Sequence, residues 1–471
     1  MLIEKWKLAV IAVFSLLLVN VFFLGVKPGE FLLSHDELIA INYSDAVRGL
    51  YVRSSQDFNV DNTTILTVSI IDRLYYFLGF SLHVDLQTLE KVFYYIKLFI
   101  SILVPYLGFR KFSQSINKEE KTVVSDYIVW LITLLYAFNT YTTIYWHGNA
   151  FQLSLLLCYS FAPLALYYFK VIISEPAPKL TLLLREALIF LAMSFGIYFF
   201  AVFLIVLATY YVSNLIINPK IIKSSVINIA KLVALCTPLY AIFLPMFLII
   251  IFGGDTVNAT GGETFSNLQG GLLYPLFLWF SWGIYTDWVP RNIFTFNTYY
   301  KSFIYILSPL AIYTTIFWGL RKKMSSRNII HFLLIFLVAL TLVKGSQPPF
   351  QEIYLSLIKH FPPFRVFRSP DNKFGFGIIL ALCFLLLYTS KNIRKGIFTG
   401  TMLFVVLTQA FLLFSGIAIR GQNTATSSDR IIYIPDDYKE LAAYLDTTQT
   451  NTGYILPVPP ANFGHFILSP T

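Results

Sequence analysis

The chain carries little charge for its length. Of 471 residues, 13% are charged and 56% are hydrophobic, whereas about a quarter of a soluble globular domain is charged. Runs of about 18 or more apolar residues recur from end to end, which is the pattern of membrane-spanning helices. The composition excludes a soluble enzyme and indicates an all-α polytopic membrane protein.

The chain also lacks the motifs of soluble-nucleotide enzymes and metalloenzymes. Its three cysteines, Cys158, Cys236 and Cys383, fall inside apolar runs and are predicted to be small core side chains. There is no Walker loop, HExxH, CxxC or GxSxG. We therefore predict no metal site among these motifs and no cofactor, and leave a divalent cation open.

The positive charge of the chain follows its topology. The net charge is +10, but the cations sit mostly in short loops between apolar runs, where the positive-inside rule explains them better than nucleic acid does. We therefore predict the lipid bilayer as a partner and no nucleic acid.

We predict eleven spans, with the N-terminus in the cytoplasm and the C-terminus outside. The run 180–217 is too long for one upright helix, and Gly196 permits a break that makes it a hairpin. With that hairpin, the basic loops "RKFSQSINKEEK", "NPKIIKSS", "RKKMSSR" and "SKNIRKG" all face the cytoplasm. The predicted spans are residues 8–26, 92–109, 122–138, 151–171, 183–197, 199–217, 228–252, 299–318, 328–343, 374–390 and 396–416.

Four segments between or after these spans are predicted to lie outside: 27–90, 139–150, 253–298 and 344–373. The third contains "LLYPLFLWFSWGIYTDW", which is too short to span comfortably and is typical of a re-entrant or interfacial helix. We assign residues 1–418 to a transmembrane domain. Residues 419–471 are soluble in composition, and we predict the truncated start of an extracytoplasmic α/β or β domain.

The first candidate site is "SHDE", just past the outer end of the first span. Asp36 or Glu37 is placed to act as a general base on an acceptor hydroxyl, with His35 as a neighbouring polar contact. The alternative is that both are solvated loop acids.

The second candidate site is "HFPPFRVFRSPDNKF". Lys359, Arg365, Arg368 and Lys373 lie outside, where the positive-inside rule predicts fewer cations. Lys359 and the neighbouring His360 are also candidate substrate contacts, as is His35. A phosphate at the membrane surface suits these cations, because arginine binds it bidentately and lysine as a point charge. The start of span ten adds the positive end of a helix dipole. The alternative is that these cations snorkel to the lipid headgroups.

A short external loop, "IYWHGNAF", offers two further residues. His147 is a candidate for proton transfer or substrate contact, and Trp146 is a candidate substrate contact. The aromatic belt at the membrane surface explains Trp146 at least as well.

The arrangement resembles membrane glycosyltransferases of the GT-C superfamily, in particular the arabinofuranosyltransferase-like branch. An acid follows the first span in a long external loop, and later external loops hold short interfacial helices. In addition, "FRVFRSPDNKF" is similar to an FR-x-P-x-KF pattern of that branch. The resemblance covers the whole chain in layout but only short motifs in sequence. The chain lacks the "WWDYG" pattern of oligosaccharyltransferases.

The resemblance implies an inverting enzyme that takes a sugar from a polyprenyl-phosphate carrier on the outer face of the membrane. The acceptor is then a glycan, a lipid or a protein. Asp36 becomes the catalytic base, with Glu37 as its substitute because the "HDE" setting leaves the choice open. Arg365, Arg368 and Lys373 become ligands of the donor phosphate.

Two other functions fit parts of the sequence. A transporter or flippase of a lipid-linked saccharide also needs external cations, but it needs charged residues deep within several spans. Lys97, Asp126 and Glu186 are predicted to lie near span ends instead. A non-catalytic scaffold that presents the C-terminal domain needs no acid beside a groove.

Overall fold

A computed structural model describes most of the transmembrane part of the chain. The described residues are 4–28, 30–32, 74–120, 124–149, 152–240, 272–280, 297–322, 327–349, 351–361, 364, 367, 370–420 and 431–433. Within these ranges the chain is helical apart from one short pair of strands.

Seventeen α-helices and two strands occur in the described ranges. The helices are α1 (Lys5–Phe22), α2 (74–81), α3 (Leu86–Glu120), α4 (Asp126–Ala137), α5 (Thr140–Asn149), α6 (Leu153–Ser174), α7 (Leu180–Ser194), α8 (Ile197–Ile217), α9 (Ile222–Tyr240), α10 (Leu273–Leu276), α11 (Asn297–Tyr300), α12 (Phe303–Lys322), α13 (Arg327–Val343), α14 (Gln351–His360), α15 (Pro370–Thr389), α16 (Lys395–Phe414) and α17 (Ile417–Arg420). The strands are β1 (Glu30–Leu32) and β2 (Ile431–Tyr433).

A helix lies at each of the eleven predicted spans, and the chain is a multi-pass membrane protein. Among the described helices, eight are long and apolar enough to cross a bilayer, or nine if α4 and α5, bent by 47°, count as one broken span. With 15 and 17 residues, α7 and α13 are shorter. The count of eleven crossings therefore stays a prediction.

The predicted break at Gly196 is confirmed. The apolar run is divided there, because α7 ends at Ser194 and α8 begins at Ile197. A Cβ atom on Gly196 would lie 2.7 Å from the carbonyl oxygen of Ser154 on α6. Glycine is needed at this position because the neighbouring backbone approaches so closely.

Helix α15 is the centre of the bundle. Of its most apolar window, 94% is buried inside the protein, and it packs against α13, α8, α12, α4 and α6. It begins at Pro370, four residues earlier than predicted, and proline suits the first position of a helix because its missing N–H is not needed there. The segment singled out for its cations therefore leads directly into the core helix.

The two strands place the residues that follow α1 and the residues that follow α17 on the same side of the membrane. Glu30 pairs with Tyr433 and Leu32 with Ile431 in an antiparallel ladder. Because β1 follows α1 and β2 follows α16 and α17, an even number of crossings separates them. The total is therefore odd, which excludes eight and agrees with nine or eleven. We call this side the strand end.

An ion-pair cluster fixes the opposite end of the bundle. Lys7 Nζ on α1 lies 2.6 Å from Asp126 Oδ2 at the start of α4. The Tyr106 hydroxyl of α3 donates to Asp126 Oδ1 at 2.9 Å. Asp126 lies at a helix start as predicted, and it serves to join three helices.

The shared side of β1 and β2 is testable by cysteine labelling, because all three native cysteines are buried. We expect Lys27→Cys and Ser427→Cys to react with a membrane-impermeant maleimide from the same side. Lys395→Cys, at the start of α16, is expected to react only from the other side. Labelling of Lys27→Cys and Ser427→Cys from opposite sides would contradict the odd number of crossings.

Candidate functional site

The predicted site residues are divided between described and undescribed parts of the chain. Five of them lie outside the described residues, and for one more, His147, only the backbone is described as part of α5. The five are His35, Asp36, Glu37, Arg365 and Arg368. The site is therefore built from Lys373, Trp146, Lys359, His360 and the elements that flank the two candidate stretches.

Leu32, the last described residue before "SHDE", is held in place by helix α3. The Leu32 backbone N–H donates to Glu90 Oε1 on α3 at 3.1 Å, and Glu90 is 1% exposed. A buried carboxylate needs hydrogen-bond donors to offset its lost hydration. The first external segment thus leaves the bundle from a position that α3 and β2 hold together.

The predicted external loop around Trp146 is a helix instead. Helix α5 includes Trp146, which is fully buried and packs its ring against Tyr94 of α3 at 5.9 Å and Phe22 of α1 at 6.1 Å. The aromatic-belt interpretation is wrong for this residue, because its ring is enclosed by protein.

The same helix also contacts the start of α15. The hydroxyls of Tyr145 and Tyr141 both donate to the Asn372 carbonyl oxygen, at 2.6 and 2.7 Å. Helix α5 therefore joins the end of α1 and the start of α3, from which "SHDE" emerges, to the first turn of α15. It brings the flanks of the two candidate stretches together.

Aromatic rings hold the approach to α15. Phe364 and Phe367 are buried and their ring centroids lie 5.1 Å apart. Phe367 packs on Phe374 at 4.8 Å, and its carbonyl oxygen accepts a hydrogen bond from the Tyr354 hydroxyl of α14. Each arginine of the predicted clamp directly follows one of these anchored phenylalanines in the sequence.

The described cations of this stretch occupy different settings. Lys373 is half-buried in the first turn of α15, with its Nζ 5.2 Å from the centroid of the Tyr198 ring, a distance at which a cation is attracted to the ring face. Lys359 and His360 are exposed in the last turn of α14. His360 Nδ1 lies 3.1 Å from the Ser356 carbonyl oxygen of its own helix.

Sequence reasoning missed a buried lysine at the same end of the bundle. Lys344 follows α13 directly and is 2% exposed. Its Nζ donates to the Gln347 carbonyl oxygen at 2.7 Å, and within the described chain it forms no salt bridge. Burial lowers the pKa of Lys344 below its ordinary value. The sequence signal that could have identified Lys344 was a single lysine directly after a predicted span, on the side where the positive-inside rule predicts few cations.

Two ionisable residues lie farther from the start of their helices than predicted. Lys97 sits eleven residues inside α3, fully buried, with its Nζ 4.0 Å from the Phe93 ring centroid. Glu186 is fully buried in the second turn of α7. Both helices begin earlier than the apolar runs indicated, and the place of these two residues relative to the membrane surface stays a prediction.

A polar network stabilises the bend that positions α5. At the break after α4, Gln409 Oε1 of α16 accepts from the Thr140 N–H at 3.1 Å and from the Thr140 hydroxyl. Gln409 Nε2 donates to the Ser308 hydroxyl of α12 at 2.6 Å. All three residues are buried. Backbone groups inside a bilayer must find partners within the protein, and Gln409 supplies one where the helix is interrupted.

The described part of the site is suited to an anion. Lys373 lies in the first turn of α15 and Lys344 follows α13 at the same end of the bundle, where the positive end of the α15 dipole also favours negative charge. No group of three or more potential metal ligands occurs among the described residues. The chemistry that these residues support is the binding of a phosphate or a similar anion at the strand end.

Comparison with known proteins supports the fold expected from the sequence. No protein-family model and no curated protein sequence matches the chain. Its structure is similar to the cryo-EM structure of the arabinofuranosyltransferase AftD from mycobacteria, with a TM-score of 0.62 and 13% identity. The match covers 95% of this chain and 30% of AftD, so the chain spans less than a third of that protein. The arabinofuranosyltransferase-like fold is confirmed.

The Gln409 network makes a prediction about stability. Gln409→Leu leaves the Thr140 N–H buried without its acceptor, and we expect a loss of about 1–3 kcal/mol and a lower Tm in detergent. Leu407→Ala, on the lipid-exposed face of the same helix, is the control and should change Tm little. An unchanged Tm for Gln409→Leu would show that the network does not support the bend.

The burial of Lys344 predicts how the stability of the protein depends on pH. Its pKa is lower in the folded than in the unfolded state, so between the two values the unfolded state binds more protons and stability rises with pH. Lys344→Met should therefore raise Tm most at about pH 7 and less at about pH 10, near the ordinary lysine pKa. Lys395→Met, at an exposed lysine, is the control. An equal gain at both pH values would contradict the assigned burial cost.

Proposed function

We propose that the chain is a membrane glycosyltransferase that moves a sugar from a polyprenyl-phosphate carrier to an acceptor outside the cytoplasm. The observation that carries the proposal is the fold it shares with an arabinofuranosyltransferase. The acceptor is a glycan, a lipid or a protein. In this orientation the N-terminus is cytoplasmic, and the strand end with residues 419–471 faces outward.

The proposed general base is Asp36, with Glu37 as its substitute. Support comes from the anchoring of Leu32 by Glu90, because chain reach limits the Asp36 α-carbon to about 14 Å from that of Leu32. The carboxylate takes the proton of the acceptor hydroxyl as its oxygen attacks the anomeric carbon. The bond from that carbon to the phosphate oxygen breaks, and polyprenyl phosphate leaves with the electron pair. Inversion at the anomeric carbon follows from this single displacement.

The proposed ligands of the donor phosphate are Arg365, Arg368 and Lys373, with Lys344 added. The burial of Phe364 and Phe367 supports a common face for the two arginines, because each follows one of these anchors at the same spacing. Charge builds on the phosphate oxygens as the sugar departs, and fixed cations stabilise it in a site with little water. Lys344 already bears the cost of burial, so an anion beside it regains part of that energy.

The remaining predicted contacts take narrower roles. Trp146 is enclosed by Phe22 and Tyr94, so we propose that it positions α5 and does not touch the sugar. Lys359 and His360 are exposed on the amphipathic α14 and are proposed to meet lipid headgroups or the carrier. His35 and His147 remain candidates for substrate contact.

A transfer assay tests the assignments. The purified chain is supplied with polyprenyl-phosphoryl pentose and hexose donors and a lipid-linked glycan acceptor. We expect Asp36→Asn to lower kcat by about 10²–10⁴-fold, and Glu37→Gln to do so only if it is the base. Arg368→Ala should raise KM for the donor about ten- to a hundredfold, as the loss of a charged hydrogen bond predicts.

Controls separate the site from the fold. Lys395→Ala removes a cation at the opposite end of the bundle and should leave both constants unchanged. Full activity in both Asp36→Asn and Glu37→Gln would remove the base assignment. No transfer from any donor by folded protein, together with movement of the lipid-linked saccharide across vesicles, would favour a flippase instead.

A further inference from the structure

A groove that the proposed reaction does not use lies between α1 and α3. Its volume is about 370 Å³, within the range of about 300–1,000 Å³ that small-ligand sites occupy. Ala12, Val13, Leu16 and Val19 of α1 form one wall, and Val92 and Tyr95 of α3 form the other. This lining is apolar apart from the tyrosine hydroxyl.

The groove opens towards lipid. Val13 and Leu16 are 56% and 53% exposed, although α1 is one of the helices that qualify as membrane spans. Only 33% of the apolar window of α1 is buried inside the protein. A chain of hydrocarbon is therefore the natural neighbour of this wall.

The groove is polar at one end, the end that lies towards the strand end of the bundle. Asn20, in the last turn of α1, and Lys91, in the second turn of α3, both line the groove and are exposed. The Asn20 side chain makes no hydrogen bond within the described part of the chain. Lys91 Nζ lies 5.5 Å from the Phe23 ring centroid, which holds the ammonium at the mouth.

A second cation stands beside this mouth. Gln87 Nε2, one turn before Lys91 on α3, donates to the Lys27 carbonyl oxygen at 2.8 Å, and Lys27 is exposed. No acid lines the groove. Asp85, just before α3, lies within electrostatic range of Lys91, but it is not part of the lining. The lining thus places one cation beside an apolar wall, as a molecule with a hydrocarbon chain and an anionic head requires.

We propose that this groove binds an anionic phospholipid of the leaflet at the strand end. One acyl chain lies along the apolar wall of α1, and the phosphate contacts Lys91 and Asn20. A soluble anion does not account for the apolar wall, and a neutral lipid offers no net charge to the lysine ammonium at the mouth. The inference uses only α1 and α3 and does not depend on the proposed transfer reaction.

Native mass spectrometry tests the site with defined lipids. The full chain is reconstituted in vesicles of phosphatidylcholine and phosphatidylglycerol, extracted in detergent, and examined for retained lipid. We expect one phosphatidylglycerol to be retained in preference to phosphatidylcholine. Lys91→Gln should lower that retention about tenfold, the effect of one charge-assisted contact. Leu16→Trp and Val13→Trp, which fill the groove from its exposed wall, should lower the retention of both lipids.

Matched controls make the outcome decisive. Lys231→Gln removes an exposed cation from α9, and Leu204→Trp enlarges an exposed side chain on α8, and both should retain lipid as the unmodified chain does. Two groove-filling variants, Leu16→Trp and Val13→Trp, are used so that the test still stands if one of them does not fold. Equal retention of the two lipids, or equal loss in Lys91→Gln and Lys231→Gln, would show an annular lipid only. A dimer that excludes lipid from the groove would also overturn the proposal.

Discussion

The site depends on one constraint, the need to satisfy backbone groups where a helix is interrupted inside the bilayer. The chain breaks between α4 and α5 and bends by 47°, which frees backbone groups that lipid cannot satisfy. Gln409 of α16 accepts a hydrogen bond from the Thr140 N–H at the break, and Ser308 of α12 accepts one from the Gln409 side-chain amide. Because the break is satisfied, α5 is able to run across the strand end, where a straight α4 would have continued outward.

The packing of α15 depends in turn on α5. Two tyrosine hydroxyls of α5 meet one carbonyl oxygen in the first turn of α15, and a Cβ atom on Gly375 would lie 2.9 Å from the Tyr141 ring. Helices in lipid associate through close packing and interhelical hydrogen bonds, since hydrophobic burial gives them little. The first turn of α15 is therefore fixed from the side, and any group that it carries has a defined position relative to α1 and α3.

Hydropathy predicted the helices well because their exposed faces must match lipid, as at α8 and α16. It failed at α5, where "TYTTIYWHGN" is polar by composition, although Thr140, Tyr141 and Thr142 are buried and hydrogen-bonded within the protein. A hydropathy value averaged over a sequence window does not include the hydrogen-bond partners that such polar side chains find in the folded protein. The β1–β2 pair was also missed, since it joins residues about four hundred positions apart through three residues each. The start of α15 beside this stretch was predicted to within four residues, whereas the clustering of its cations stays a prediction because Arg365 and Arg368 lie outside the described residues. The buried Lys344 has no local pattern that would have revealed it.

A buried cation at the strand end lowers the stability of the fold, and the proposed role of the cations there is to bind an anion. The positive-inside rule is a sum over short loops, and four basic loops at the other end outweigh the few cations here, so these cations are not needed for topology. Lys344 in particular is destabilising, because its ammonium is desolvated and meets one carbonyl oxygen and no carboxylate among the described residues. An apolar residue there would stabilise the fold. A lysine that costs stability and is not needed for topology is consistent with the anion site proposed at the start of α15, where the helix dipole also favours negative charge.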